Sequence, residues 1–294
     1  MGVGSMGLQF ALLAKRRKVS FDTTLMLGRQ NHFLDAWWTK SLFDRFGFPI
    51  TEAAATEVVA EPYAEALFKR LGASSVDSMD ASNYEGATVI HNLNEPIPAS
   101  FVQKYSCVVD YGTLEHVFNF PVALKNATDM IKTGGHFLSI IPCNNMMGHG
   151  FYQFSPELYF NYLSHNGFDD LSIYMIPYRW MPYLFRVSDP RDVNTRVELV
   201  NNEPMQMGIM ARKAKHIPEA VIPIQSDYFN HFWQGQDVDR HTTVPAADPA
   251  MASAVEDFRG RIAALSLWPE SLSPRYVSGL ENPRHYQIMD PARD

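Results

Sequence analysis

Apolar runs of three to six residues alternate along the chain with stretches of helical periodicity. The first helical stretch is residues 6–17 (MGLQFALLAKRR), where Leu8, Leu12 and Leu13 share a side and cations gather at the C-terminal end, as the helix dipole favours. Short β-prone runs follow at residues 23–27 (TTLML), 75–79 (SVDSM), 88–90 (TVI), 107–110 (CVVD) and 136–141 (HFLSII), the last halted by Pro142. Between them, residues 62–71 predict a helix opened by Pro62 and closed by Gly72. Residues 120–131 predict another, ending in a turn at Thr133-Gly134-Gly135. Residues 155–165 predict a third, with Ser155 as N-cap, Pro156 at its first position and Gly167 beyond its end. Two late strands are expected at residues 171–176 and 205–210.

Strands separated by helices of this length need crossover connections, so the order predicts an α/β fold: a doubly wound, mainly parallel sheet with helices on both faces. Residues 31–60 mix Phe33, Trp37, Trp38, Phe43 and Phe46 with an Ala/Thr-rich stretch and read as a helical insertion or cap. From residue 216 the chain becomes rich in Pro, Asp and His. One amphipathic stripe there runs through Met251, Val255, Phe258, Ile262 and Leu265, a core or docking surface or a dimer seam. The expected organisation is a Rossmann-like domain over residues 1–215 and an extension over 216–294.

Composition narrows the partners. With 46% hydrophobic residues the chain has ample apolar surface to bury, and a net charge of −7 disfavours a wrapped nucleic acid, which needs a basic face. The basic run from Lys15 to Lys18 reads as a solvated helix end. Two cysteines, Cys107 and Cys143, form neither a CxxC pair nor a metal spacing, which fits a reducing cytoplasm without a disulfide scaffold. No stretch approaches about 18 uninterrupted apolar residues, so no membrane span is expected. The ten histidines show no HxxxH or HExxH spacing, and no metal site is expected from them.

Gly2, Gly4 and Gly7 (GVGSMG) match the dinucleotide fingerprint on paper, but no strand precedes them to deliver the tight turn. They read as a flexible terminus entering a helix. More informative is the segment 105–142, YSCVVDYGTLEHVFNFPVALKNATDMIKTGGHFLSIIP. A strand ends at Asp110 in the small turn Tyr111-Gly112-Thr113, Glu115-His116 opens a helix, and Gly134-Gly135 precedes a strand ending in Ile141-Pro142. In that order and spacing these parts resemble the middle of class I S-adenosylmethionine-dependent methyltransferases. The resemblance extends over about residues 23–214.

The resemblance implies a Rossmann-like fold, S-adenosylmethionine as cofactor, and methyl transfer; the acidic balance, which disfavours nucleic acid, and the aromatic-rich insertion point to a small-molecule or sugar-type acceptor. The resemblance places Asp80, followed by Ala81, against the ribose hydroxyls, where a carboxylate accepts from both. Asn92 and Leu93 fall where the adenine edge is read. Asp110, Tyr111 and Gly112 fall beside the methionine portion. The family's glycine-rich loop after the first strand is missing, and Leu27-Gly28-Arg29-Gln30 stands there, with Arg29 or Gln30 as side-chain donors to the cofactor carboxylate. For catalysis the candidates are His149, in the polar loop 144–153 with its glycine hinges, then His116 and Tyr152. The missing loop also motivates an alternative, a methyltransferase fold serving as a non-catalytic binding or assembly subunit. A nucleotide-dependent oxidoreductase would require a phosphate-cradling glycine loop after the first strand, which is absent.

Overall fold

In the computed structural model, residues 2–178, 183–229, 279–280, 282–283 and 285–293 are described. The chain runs β1 (Gly2–Val3), α1 (Ser5–Arg16), β2 (Thr23–Leu27), β3 (Asn31–His32), α2 (Ala36–Arg45), α3 (Glu52–Val59), α4 (Glu65–Leu71), β4 (Ser75–Asp80) and β5 (Val89–Ile90). It continues through β6 (Tyr105–Asp110), α5 (Phe120–Asp129), β7 (Ile131–Asn144), α6 (Pro156–His165), β8 (Phe168–Pro177), β9 (Leu184–Val187), α7 (Pro190–Val193), β10 (Met205–Lys213), α8 (Ser226–Phe229) and β11 (Tyr286–Met289). The predicted stripe at residues 251–265 lies outside the described residues.

One nine-stranded sheet carries the fold, in the order β11-β9-β8-β10-β7-β6-β2-β4-β5. From β5 to β7 every neighbour is parallel, and beyond β7 every neighbour is antiparallel. The Rossmann-like, doubly wound fold implied by the methyltransferase resemblance is the fold observed. From β2 the chain first winds one way to β4 and β5, then returns to place β6 on the other side of β2. The strand order therefore reverses between the carboxyl ends of β2 and β6, where open α/β sheets bind their ligands.

The two central strands are buried on both faces, which is why they read as unbroken apolar runs. Leu25, Leu27 and Val108 pack toward α5 and α6, while Met26, Cys107 and Val109 pack toward α1 and α4, following the two-residue alternation of a strand. Each such side chain contributes about 1.5–3 kcal/mol when fully buried. The 31–60 segment is helical over α2 and α3, preceded by the short β3. Asp35 accepts a hydrogen bond from Trp38 N (2.7 Å) and Thr51 from Ala54 N (3.2 Å), N-caps worth about 1 kcal/mol each.

Several expectations need correction. Residues 2–7 are not a loose terminus: β1 pairs parallel with β3, and Val3 is fully buried. The basic run is not merely a solvated helix end, because Lys15 Nζ donates to Leu71 O (2.7 Å), Arg17 to Ser172 Oγ (2.9 Å), and Arg16 to Ala292 O. Helix α4 begins three residues after Pro62, whose carbonyl instead accepts from His32 N. Pro142 does not halt its strand: β7 runs on to Asn144 with a bulge at Cys143, since Gln206 pairs with Pro142 and Met205 with Asn144. Thr133-Gly134-Gly135 lies inside β7 at its irregular start, and β9 and β11 were not anticipated. Through β11 the extension completes the sheet edge, so it shares the core of the preceding domain.

Candidate functional site at the carboxyl edge

At the switch point, β2 ends at Leu27 and β6 at Asp110, paired in register. Asp110 is fully buried, and its carboxylate is consumed by the chain itself. It accepts from Thr113 N (2.8 Å), Leu114 N (3.3 Å) and Ser139 Oγ (2.9 Å). Burial pushes its carboxyl up to about 6 against the pull of those hydrogen bonds. Asp110 thus fixes the turn after β6 rather than offering itself to a ligand. Next along that turn, a single 3-10 turn over Leu114–His116 turns Glu115 inward, fully buried, while His116 stays partly exposed.

The loop after β7 folds back onto the same turn. Phe151 N donates to Glu115 O (2.8 Å), Tyr152 Oη donates to Phe118 O (2.6 Å), and the Phe118 and Phe151 rings meet edge to face. Gly150 makes this approach possible: its φ is +94°, and a Cβ there would stand 2.9 Å from Glu115 Cγ and 2.9 Å from its carbonyl oxygen. The result places His149 Nε2 3.5 Å and His116 Nε2 3.8 Å from Glu115 Oε1, with the two imidazoles 5.7 Å apart. Among the described residues neither Glu115 carboxyl oxygen has a hydrogen-bond partner. Burial first, and the neighbouring Asp110 charge second, push Glu115 up to about 8, while desolvation followed by His149 holds His116 below its ordinary range.

Beside this cluster a cavity of about 380 Å³ opens between β6, β7, β10 and the start of α1, lined by Gly4, Ser5, Gly7, Tyr111, Gly112 and His149 among others. Helix α1 enters it with Gly4 as an N-cap that supplies no side chain, so amides of its first turn have no side-chain acceptor. Residues 2–7 form one wall.

The sequence-predicted residues divide accordingly. Gly28, Asp80, Asn92 and Asp110 do stand on one rim, since Gly28 N donates to Met79 O and His91 N to Asp80 O. Of the predicted cofactor contacts, Tyr111 and Gly112 line the cavity, and Gly28, Asp80 and Asn92 do not. Gly28 has φ +71° and would bring a Cβ within 2.8 Å of Thr113 Oγ1, which donates to Leu27 O and fills the gap between β2 and β6. Arg29 is not a waiting carboxylate donor: Nε pairs with Glu65 (2.8 Å), Nη1 donates to Glu85 O (2.8 Å), and the guanidinium lies 4.1 Å from the Tyr63 ring centre. Gln30 is buried and donates to Leu27 O (3.0 Å), leaving its own oxygen without a partner. Asp80 is half-buried and accepts one long bond from Ser82 N (3.4 Å); Ala81 is exposed. Asn92 accepts from Asn94 N (3.1 Å), and Leu93 is buried in the core. Tyr152, with its hydroxyl committed to Phe118 O, sits in an aromatic row with Phe120 and Phe154. In sequence Glu115 is only half of a helix-opening pair, and its 34-residue separation from His149 conceals their meeting.

No protein-family model matches the chain, and no curated protein does. Among solved structures it is similar to the N-methyltransferase NodS of Bradyrhizobium japonicum, at 8% identity over 70% of this chain and 94% of that one, TM-score 0.36. It is similar to TehB of Haemophilus influenzae at 15% identity over 69% and 61%, TM-score 0.35. A third is the branched-chain polyamine synthase of Thermus thermophilus, at 12% identity over 74% and 58%, TM-score 0.36. These likenesses decide nothing about activity. No helix among the described residues is long and apolar enough to cross a membrane.

Proposed function

We propose that the protein transfers a methyl group from S-adenosylmethionine to a small-molecule or sugar-type acceptor at the carboxyl edge of its sheet. The observation that carries this reading is the cavity where β6 ends in Tyr111-Gly112 beside the switch point, with His149 on its wall. The residues fit the cofactor at two places. The first turn of α1 and Gly112 offer backbone to its amino-acid end, since helix N-termini favour a carboxylate. Asp80, on the same rim but outside the cavity, has acceptor capacity left over for its ribose hydroxyls. They do not fit at Gly28–Gln30, where Thr113 and Arg29 occupy the space, and binding there requires Arg29 to leave Glu85 O.

The cofactor would supply an electrophilic methyl carbon for in-line displacement. The chain's own part is to hold and desolvate the acceptor and to take its proton, with His149 on the cavity side and Glu115 behind it. Calorimetry with S-adenosylmethionine and with its demethylated product tests the reading. Binding of either, weakened at least about tenfold (about 1.4 kcal/mol) by Asp80→Ala, is the expected result. Absence of heat with both, in protein shown to be folded, removes it.

The space filled by Arg29 and Thr113 favours a second reading, a non-catalytic subunit on the same fold. Arg29→Ala separates the two. A gated enzyme binds cofactor more tightly once the guanidinium is gone, whereas a scaffold binds none before or after.

A further inference from the structure

Glu115, His116 and His149 bring one carboxylate oxygen and two imidazole nitrogens within 4.8 Å of one another, the sole such group found among the described residues. Burying a carboxyl whose two oxygens both lack hydrogen-bond partners among the described residues is unfavourable unless a proton or a cation compensates it. Two imidazoles converge on that acid from separate elements, one from the turn after β6 and one from the loop after β7, and Gly150 lets the second come close. Metal–ligand bonds of about 2.0–2.2 Å set neighbouring donors roughly 3–3.5 Å apart. The distances from Glu115 Oε1, 3.5 Å to His149 and 3.8 Å to His116, are within a few tenths of an ångström of that spacing. Small side-chain rotations of the two histidines, His116 exposed and His149 half-buried, would complete the closure.

We propose that Glu115, His116 and His149 bind one divalent transition-metal ion, with open coordination positions facing the cavity that His149 lines. Two imidazoles with one carboxylate and no thiolate suit zinc, iron(II) or manganese(II), and three protein donors leave room for an outside ligand. A bound ion neutralises the buried Glu115 and makes His149 a ligand in place of a base. It also offers a Lewis acid to an acceptor hydroxyl, whose proton is then lost more easily. This use of the ion rests on the methyl-transfer reading; the ion site itself does not.

The test uses the full chain, stripped with a chelator and titrated with cobalt(II), zinc(II) and manganese(II) each alone. Calorimetry gives the stoichiometry, and visible cobalt absorption reports imidazole ligation. One equivalent should bind. Glu115→Gln and His149→Ala should each weaken it by more than about 100-fold, beyond the loss typical of outer-shell changes. Glu115→Gln keeps the shape and puts an uncharged group in place of a buried ionisable one, so circular dichroism should find it folded. No saturable binding to folded wild-type protein, or binding unchanged in both variants, overturns the site. Metal binding without any cofactor binding keeps the site and discards only its use in methyl transfer.

Discussion

Lys213 shows how one residue's burial becomes a measurable pH effect. Its ammonium is nearly inaccessible, donating to Thr128 O (2.7 Å) and Ile131 O (2.8 Å), and burial lowers it to about 8. Because the folded value lies below the unfolded one, the unfolded chain holds more protons between about pH 8 and 10.5, and stability at this group rises with pH across that window. Denaturant unfolding of wild type and Lys213→Met from pH 7 to 10 should show it. The difference between the two curves should climb by no more than about 1.4 kcal/mol per pH unit, starting near pH 8. A flat difference would mean that the carbonyls hold the ammonium charged. Gly150 gives the second residue-scale prediction. Gly150→Ala forces a side chain into φ +94° and against Glu115, so it should cost about 1–3 kcal/mol and displace His149. Thermal unfolding reads the first effect and weakened cobalt binding the second.

Among elements, legibility followed burial. Strands β2 and β6 are enclosed on both faces, so their sequences are short apolar runs that need no knowledge of their neighbours. Helices α1, α5 and α6 announce themselves through periodicity and end signals. Strands β9 and β11 pair with each other at one edge of the sheet, four residues each, and that pairing is a fact of long-range topology. The same limit hid the site. Asp110 looked like a ligand contact because of its place at the end of β6, yet three donors from the turn and from β7 take its oxygens. Arg29 looked available because sequence does not reveal Glu65 or Glu85 beside it. Conversely, Glu115 and His149 are joined only because consecutive parallel strands end on one rim.

The whole molecule is closed at its far edge by the last described segment. Strand β11 pairs along β9, Asp290 meets Arg45 (2.8 Å), and Ala292 O accepts from Arg16. Deleting residues 279–294 should therefore expose the β9 edge, with Leu184 and Phe185 beneath it, lower the melting temperature and promote self-association. Size-exclusion chromatography with light scattering checks this; a monomer as stable as the parent would refute it. At the middle of the sheet's carboxyl edge, the loop bearing His149 is stitched to the β6 turn by Phe151 N, Tyr152 Oη and the Phe118 ring. That stitching makes it a doorpost rather than a door. Phe33 and Tyr178, both exposed, line the cavity on another side, so the exchange rate of any ligand held there should respond to substitution of those two aromatics rather than to loop movement.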